Sequence, residues 1–169
     1  MNHTLSRYTS GQGAKLARFV LPIAIRTYAK WVDSESASAW AHSEHGVDAW
    51  NARLDDATTH VLVFERPDQS VAACAFVRVT AETAHFGGLY VEDGGRGLGS
   101  ALSAERIRIS RESGALTAVM LIRETNTPAR GLAEKAGFAM VAEEPCTRLS
   151  AVPRLLYAMP LDVQVLIPA

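Results

Sequence analysis

Apolar residues recur along this chain at two spacings, every second position and every third or fourth, and their alternation predicts a mixed α/β order. Residues 4–8 read as a short strand. After a turn at 11–13, Leu16, Phe19, Val20, Ile23 and Trp31 fall at helical spacing, with Pro22 inside the run predicting a bend. A second helical segment runs from about 36 to 55. Residues 60–65 and 71–80 are rich in β-branched side chains, and Pro67 and Asp68 between them supply turn chemistry, so the pair reads as a hairpin. Residues 84–91 continue that sheet. Leu98, Ala101, Leu102, Glu105 and Ile109 mark one face of a helix ending near Gly114, and the near-continuous apolar run 116–122 predicts a buried strand. Thr127 is placed to cap a helix with Pro128 at its first position and Gly137 just past its end, and 138–142 and 155–161 form two last strands. The predicted order is β-α-α-β-β-β-α-β-α-β-β, with a sheet that is partly antiparallel and partly parallel.

Glycine departs from this pattern at one place. The stretch GGLYVEDGGRGLGSAL, residues 87–102, holds six of the chain's twelve glycines where a predicted strand hands over to a predicted helix. Glycine inside an element costs roughly 0.5–1 kcal/mol relative to alanine, so the cluster points to a geometric requirement. A helix N-terminus offers unpaired N–H groups and about half a positive charge, and a glycine loop leading into it lets the backbone close around a pyrophosphate. Gly97 and Gly99 permit that approach, Leu98 and Ser100 add amides, and Arg96 adds an amide and a charge-assisted contact. A tight strand-to-helix turn without a ligand is the plainer alternative, but it needs fewer glycines.

Composition narrows the partners. At 169 residues, 48% apolar and 21% charged, the chain suits one globular core, and 17 basic against 18 acidic side chains give no global field for a nucleic acid. Its longest apolar runs, 19–25 and 71–77, fall far short of the ~20 residues that cross a bilayer, and the opening MNHTLSRYTS lacks a signal core. A cytoplasmic protein with no membrane partner is expected. Cys74 and Cys146 are isolated thiols, a buried one and a loop one, and His42 and His45 lack a third ligand nearby, so no metal is expected.

Two of these segments together carry a resemblance. GGRGLG, 94–99, resembles the Q/R-x-x-G-x-G/A loop of the GNAT family of N-acyltransferases, and NTPARGLAEKAGF, 126–138, resembles that family's N-x-x-A-x-x-L-Y-x-K-x-G-F helix. The inferred element order is similar to the same fold over essentially the whole chain. The resemblance implies one α/β domain over 1–169, its mixed, partly antiparallel sheet flanked by helices, with 1–80 mainly on the acceptor side and 81–142 as the acyl-CoA-binding core. It implies acetyl-CoA or another acyl-CoA as co-substrate, held by Leu89, Val91, Gly94, Gly95, Arg96, Gly97, Leu98, Gly99, Ser100 and Asn126. The acyl group would pass to a primary amine of a small molecule or peptide by direct attack in a ternary complex, on a monomer or homodimer. Splaying between strands ending near Val91 and Ile122 would admit the thioester, and a backbone N–H near Leu89 and Tyr90 would stabilise the oxyanion.

Departures from the family pattern keep other readings open. The loop's leading Gln or Arg falls on Gly94, and the helix position where relatives often carry a Tyr as general acid is Ala133. Tyr90 and Tyr157 could replace that acid, or the thiolate could leave unassisted, and each tyrosine also suits plain packing. A carrier-protein thioester or aminoacyl-tRNA could serve as donor, and an acyl-CoA sensor would need no acid. A dinucleotide-binding unit fits less well, because a third glycine counted from Gly95 falls on Ser100 and the acid Glu124 comes late. For the base, the strand register decides. If Val91 is its last core position, His85 stands six residues back, where some relatives carry a catalytic carboxylate. If Leu89 is, that place falls to Thr83 and His85 faces away. Imidazole, with an ordinary pKa of ~6.5, needs little tuning to accept a proton near neutrality. Trp31, Trp40 and Trp50, with His42, Glu44 and His45 between them, would line an aromatic acceptor pocket or simply pack helices.

Overall fold

The computed structural model describes residues 3–92, 97–144 and 152–161. Gly94, Gly95 and Arg96 of the expected pyrophosphate loop, and Cys146, lie outside them. In chain order the elements are β1 (Thr4–Tyr8), α1 (Gly13–Tyr28), α2 (Ser34–His45), α3 (Val47–Asp55), β2 (Thr59–Glu65), β3 (Val71–Thr80), β4 (Thr83–Val91), α4 (Leu98–Glu112), β5 (Thr117–Arg123), α5 (Thr127–Lys135), β6 (Ala139–Glu144) and β7 (Arg154–Pro160). Among the described residues the strands form one seven-stranded sheet in the order β1-β2-β3-β4-β5-β7-β6. Only β4 and β5 run parallel, since α4 returns the chain between them; the other neighbours are antiparallel.

Each face of the sheet carries its own core because strand side chains alternate. Ala73, Ala75 and Val77 of β3 join Leu102 of α4 and Ala133 of α5 on one face, whereas Cys74 joins Leu16 and Val20 of α1 and Trp50 of α3 on the other. Cys74 is fully buried, and desolvation pushes its thiol well above the ordinary value. Among the described residues no helix is long and apolar enough to cross a membrane.

Four local expectations change. The helical segment expected over 36–55 is two helices, because Gly46 is extended (φ −67°, ψ 172°): its N–H bonds His42 O and its carbonyl accepts from Trp50 N–H. A Cβ at Gly46 would stand 2.5 Å from His42 O, so the corner requires glycine. On α4 the buried stripe is Leu98, Leu102, Arg106 and Ile109, and Ala101 and Glu105 lie to its side. The cap of α5 is Asn126, whose Oδ1 accepts from Ala129 N–H at 3.3 Å, and Thr127 is the first helical residue. Strand β5 is not buried throughout; Leu121 is 43% exposed.

Candidate active site

The parallel seam between β4 and β5 is short. It pairs Thr83 with Thr117, Ala84 with Ala118 and His85 with Val119, and no further. Beyond it the rest of β4 has no partner on that side among the described residues, while β5 stays paired to β7 along its whole length. Glu92 N–H bonds Ala72 O on β3, so by antiparallel alternation Tyr90 also turns its amide and carbonyl to β3, and Leu89 and Val91 turn theirs to the open side. Leu89 and Val91, both expected at this site, therefore present a free strand edge.

Strand β4 also bulges there. Gly87 pairs with Phe76 and Tyr90 with Cys74, so Gly88 and Leu89 together face Ala75 alone. Gly88 has φ +36°, and a Cβ on Gly87 would lie 2.2 Å from Phe76 Cζ, so both glycines are needed where the Phe76 ring covers the bulge. The extra residue shifts the alternation by one. Ala84 and Phe86 before it and Leu89 and Val91 after it all pack on the α4 side. His85 and Tyr90, five positions apart, thereby share the opposite face, the one on which α1 and α3 pack.

The start of α4 meets this edge. Gly97 precedes the helix in the left-handed region (φ +75°), and among the described residues the first helical bond runs from Ala101 N–H to Gly97 O, so the amides of Leu98, Gly99 and Ser100 have no helical partner there. A Cβ on Gly99 would touch Leu132 of α5 at 3.4 Å, Leu89 at 3.6 Å and Val91 at 3.8 Å. The expected loop residues Gly97, Leu98, Gly99 and Ser100 are thus brought to the same open edge as Leu89 and Val91. Asn126 caps the helix that packs beside them, which commits its oxygen to Ala129. Ala133 is 3% exposed in the core. Tyr157, one candidate for the missing acid, is 1% exposed with its hydroxyl between Arg130 Nε (3.2 Å) and Glu134 Oε1 (3.0 Å). That hydroxyl bridges β7 to α5.

On the face of α1 to α3, the Tyr90 hydroxyl lies 2.8 Å from His45 Nε2. His45 is buried at the end of α2, and burial, followed by the nearby Arg53 charge, lowers its pKa to about 4. Burial likewise pushes the Tyr90 hydroxyl well above the usual phenol value. Both groups are neutral near pH 7, and His45 Nδ1 has no partner. Rings surround them: Trp40 stands 5.4 Å from His45 and 3.7 Å from Tyr28, and Tyr28 is 5.2 Å from Trp31. Trp50 is wholly buried, and Arg53 stacks on it at 5.2 Å while pairing with Glu44 at 3.7 Å. His42 is exposed and bonded to Ser38 O. His85 is exposed at the last paired position of the seam, opposite Arg78, in a shallow cavity of about 350 Å³ that Phe76, Thr80 and Gly87 also line. Among the described residues no three His, Cys, Asp or Glu side chains gather as a metal site.

Sequence reasoning missed His45 as the partner of Tyr90, because nothing in the spacing of residues 45 and 90 links them. It missed Arg106 for another reason. A charged residue is normally assigned to solvent, yet Arg106 lies on the buried face of α4 with Leu98, Leu102 and Ile109 and the small Ser103 and Ser110.

Comparison with known proteins follows the same lines. The structure resembles the PaiA N-acetyltransferase of Thermoplasma acidophilum in complex with coenzyme A (TM-score 0.80, 15% identity, 95% of this chain and 99% of that one). It also resembles yncA of Salmonella typhimurium, solved with acetyl-CoA (0.68, 21%, 96% and 95%), and the ribosomal-protein-S18-alanine N-acetyltransferase of Escherichia coli (0.65, 18%, 95% and 95%). At these identities the likeness is one of fold. A search of curated proteins finds no match. The family model for acetyltransferases of the GNAT family matches residues 25–138, more than half of the molecule, and the chain belongs to that family.

Proposed function

We propose that this protein transfers an acetyl group from acetyl-CoA to a primary amine of a small molecule or peptide, by direct attack while both are bound. One observation carries the reading: among the described residues, the edge of β4 at Leu89 and Val91 is unpaired and runs into the three amides that open α4. A pantetheine arm can bond such an edge as a strand would, and a pyrophosphate suits the helix N-terminus. The coenzyme A and acetyl-CoA held by two solved proteins of this fold support the same reading.

The chemistry then falls to groups around the bulge. The amine nitrogen attacks the thioester carbonyl, whose oxygen takes up charge against backbone N–H groups at Gly88 and Leu89, and the C–S bond breaks. His85, on the acceptor face, takes the proton from the amine directly or through water. Tyr90 gives a proton to the departing sulfur, in the place of the family's tyrosine at Ala133. His45 serves Tyr90 by donating Nε2–H to its oxygen, which leaves Nδ1 as a bare acceptor and holds the phenolate as it forms. The aromatic residues Tyr28, Trp31 and Trp40 bound the acceptor side.

A thermal-shift series tests the reading. Coenzyme A or acetyl-CoA should raise Tm, since a ligand at 100 times its Kd stabilises by about 2.7 kcal/mol, and NADH should not. Gly99→Asp, whose Cβ meets only ordinary contacts, should fold and lose the response by placing a carboxylate at the phosphate position. Equal responses from both proteins would mean that the loop is misassigned. Release of free thiol from acetyl-CoA with an amine panel separates an enzyme from a sensor.

A further inference from the structure

Beneath the bulge lies a charge that this chemistry leaves unused. Arg106 is 4% exposed on the sheet side of α4. Its Nη1 donates to Gly87 O at 3.4 Å and its Nη2 to Ser103 Oγ at 3.3 Å, its Cζ stands 4.5 Å over the Phe86 ring, and its Nε has no partner. No carboxylate pairs with it among the described residues. Burial alone lowers its pKa to about 9, which leaves it charged at neutral pH. Buried cations ordinarily have a counter-ion, and an apolar side chain in such a place is often the more stable choice. Leucine would continue the stripe of Leu98, Leu102 and Ile109. A cation retained there without a counter-ion among the described residues is complementary to an anion that is present only part of the time.

We propose that Arg106 is a positioning residue for acyl transfer: by donating to the Gly87 carbonyl it fixes and polarises the Gly87–Gly88 peptide, so that the amides of the bulge meet the developing oxyanion. The inference rests on the donor lying along β4 as described above. A hydrogen bond from a cation to a peptide oxygen draws density from the N–H of the same peptide, here that of Gly88, and makes it a stronger donor. The effect is larger in a site from which water is excluded. Phe76 holds the bulge from one face and Arg106 from the other, so the donors are in place before charge develops.

The test compares wild type with Arg106→Met, Arg106→Gln and Arg106→Lys in the full chain. The readouts are coenzyme A affinity by calorimetry, Tm, and thiol release from acetyl-CoA with tyramine, phenethylamine, putrescine and an alanine-terminated peptide. Arg106→Met should bind coenzyme A as wild type does, keep or raise Tm, and lower kcat at least about tenfold with the amine KM unchanged, a smaller loss than removing an oxyanion donor outright. Arg106→Gln keeps a donor without the charge and should be nearly as slow, and Arg106→Lys should recover part of the rate. A wild-type kcat in Arg106→Met, or a kcat that falls only in step with Tm and coenzyme A affinity, overturns the inference. If Arg106→Met does not fold, the order of Arg106→Gln below Arg106→Lys decides in the same way. A wild type that binds no acyl-CoA overturns the functional reading and this inference together, whereas an active wild type with inert substitutions overturns this one alone.

Discussion

The hydrogen bond between Tyr90 and His45 joins two residues that are 45 positions apart and gives both a measurable consequence. If Tyr90 protonates the leaving sulfur, Tyr90→Phe should lower kcat by about 10²-fold or more, within the usual range for general acid catalysis. Tyr157→Phe should cost far less, because that hydroxyl is engaged by Arg130 and Glu134. His85→Ala should lower the plateau of kcat/KM by a similar ~10²-fold while leaving coenzyme A binding intact. Equal, small losses from Tyr90→Phe and Tyr157→Phe would mean that the thiolate leaves without an acid. The pair also affects stability. Folded His45 titrates at about 4, against ~6.5 for an unfolded histidine, so between those values the unfolded chain binds more protons. Its contribution is complete above pH 6.5 and is lost as the pH falls, by up to ~1.4 kcal/mol per unit. His60, lowered by burial and by Arg7, acts in the same direction. Denaturant midpoints should therefore be level from pH 6.5 to about 8, below the range in which unfolded thiols ionise, and decline below 6.5, and His45→Gln should flatten that decline without abolishing it. An unaltered slope in that variant would place the proton elsewhere.

At the scale of elements, the bulge in β4 makes the strongest claim. Alanine at Gly87 would put a Cβ 2.2 Å from the Phe76 ring, which packs against Trp50 and Arg53 and cannot retreat freely. Gly87→Ala should destabilise by ~1–3 kcal/mol, as overpacking does, and Phe76→Leu in the same chain should restore part of the loss. Strictly additive effects would show that the ring and the bulge are independent. The bulge also explains where the sequence was legible. Strands β2 and β3 follow from β-branched runs and turn residues, and the element order follows from period except where α2 and α3 divide. The bulge does not, because two adjacent glycines in a strand-like run are equally compatible with an extended strand. The corner at Gly46 was hidden because helical spacing continues on both sides of it. Asn126 and Thr127 are both good caps, so the pattern could not separate them, and only the bond to Ala129 does. The glycine cluster was readable from composition as a strand-to-helix junction with an unusual backbone, whereas His45 beside Tyr90 and Arg106 beneath Gly87 depend on contacts across the sheet.

For the whole molecule, the three-pair seam between β4 and β5 means that one sheet is built as two, β1 to β4 on one side and β5, β7 and β6 on the other. Main-chain bonds are dense within each half and sparse between them. The two halves should then differ in how they protect their amides from solvent deuterium, and β4 should do so residue by residue. Tyr90 and Glu92, bonded to β3, should exchange slowly with or without a ligand, whereas Leu89 and Val91, one position away, should exchange quickly until coenzyme A is added. Uniform protection along 89–92 in the free protein would contradict that alternation. A sheet left unzipped in this way needs no moving lid to receive a long, flexible substrate arm. On the proposed reading the arm itself would supply the missing rungs, and the two halves would be most firmly joined only while it is there.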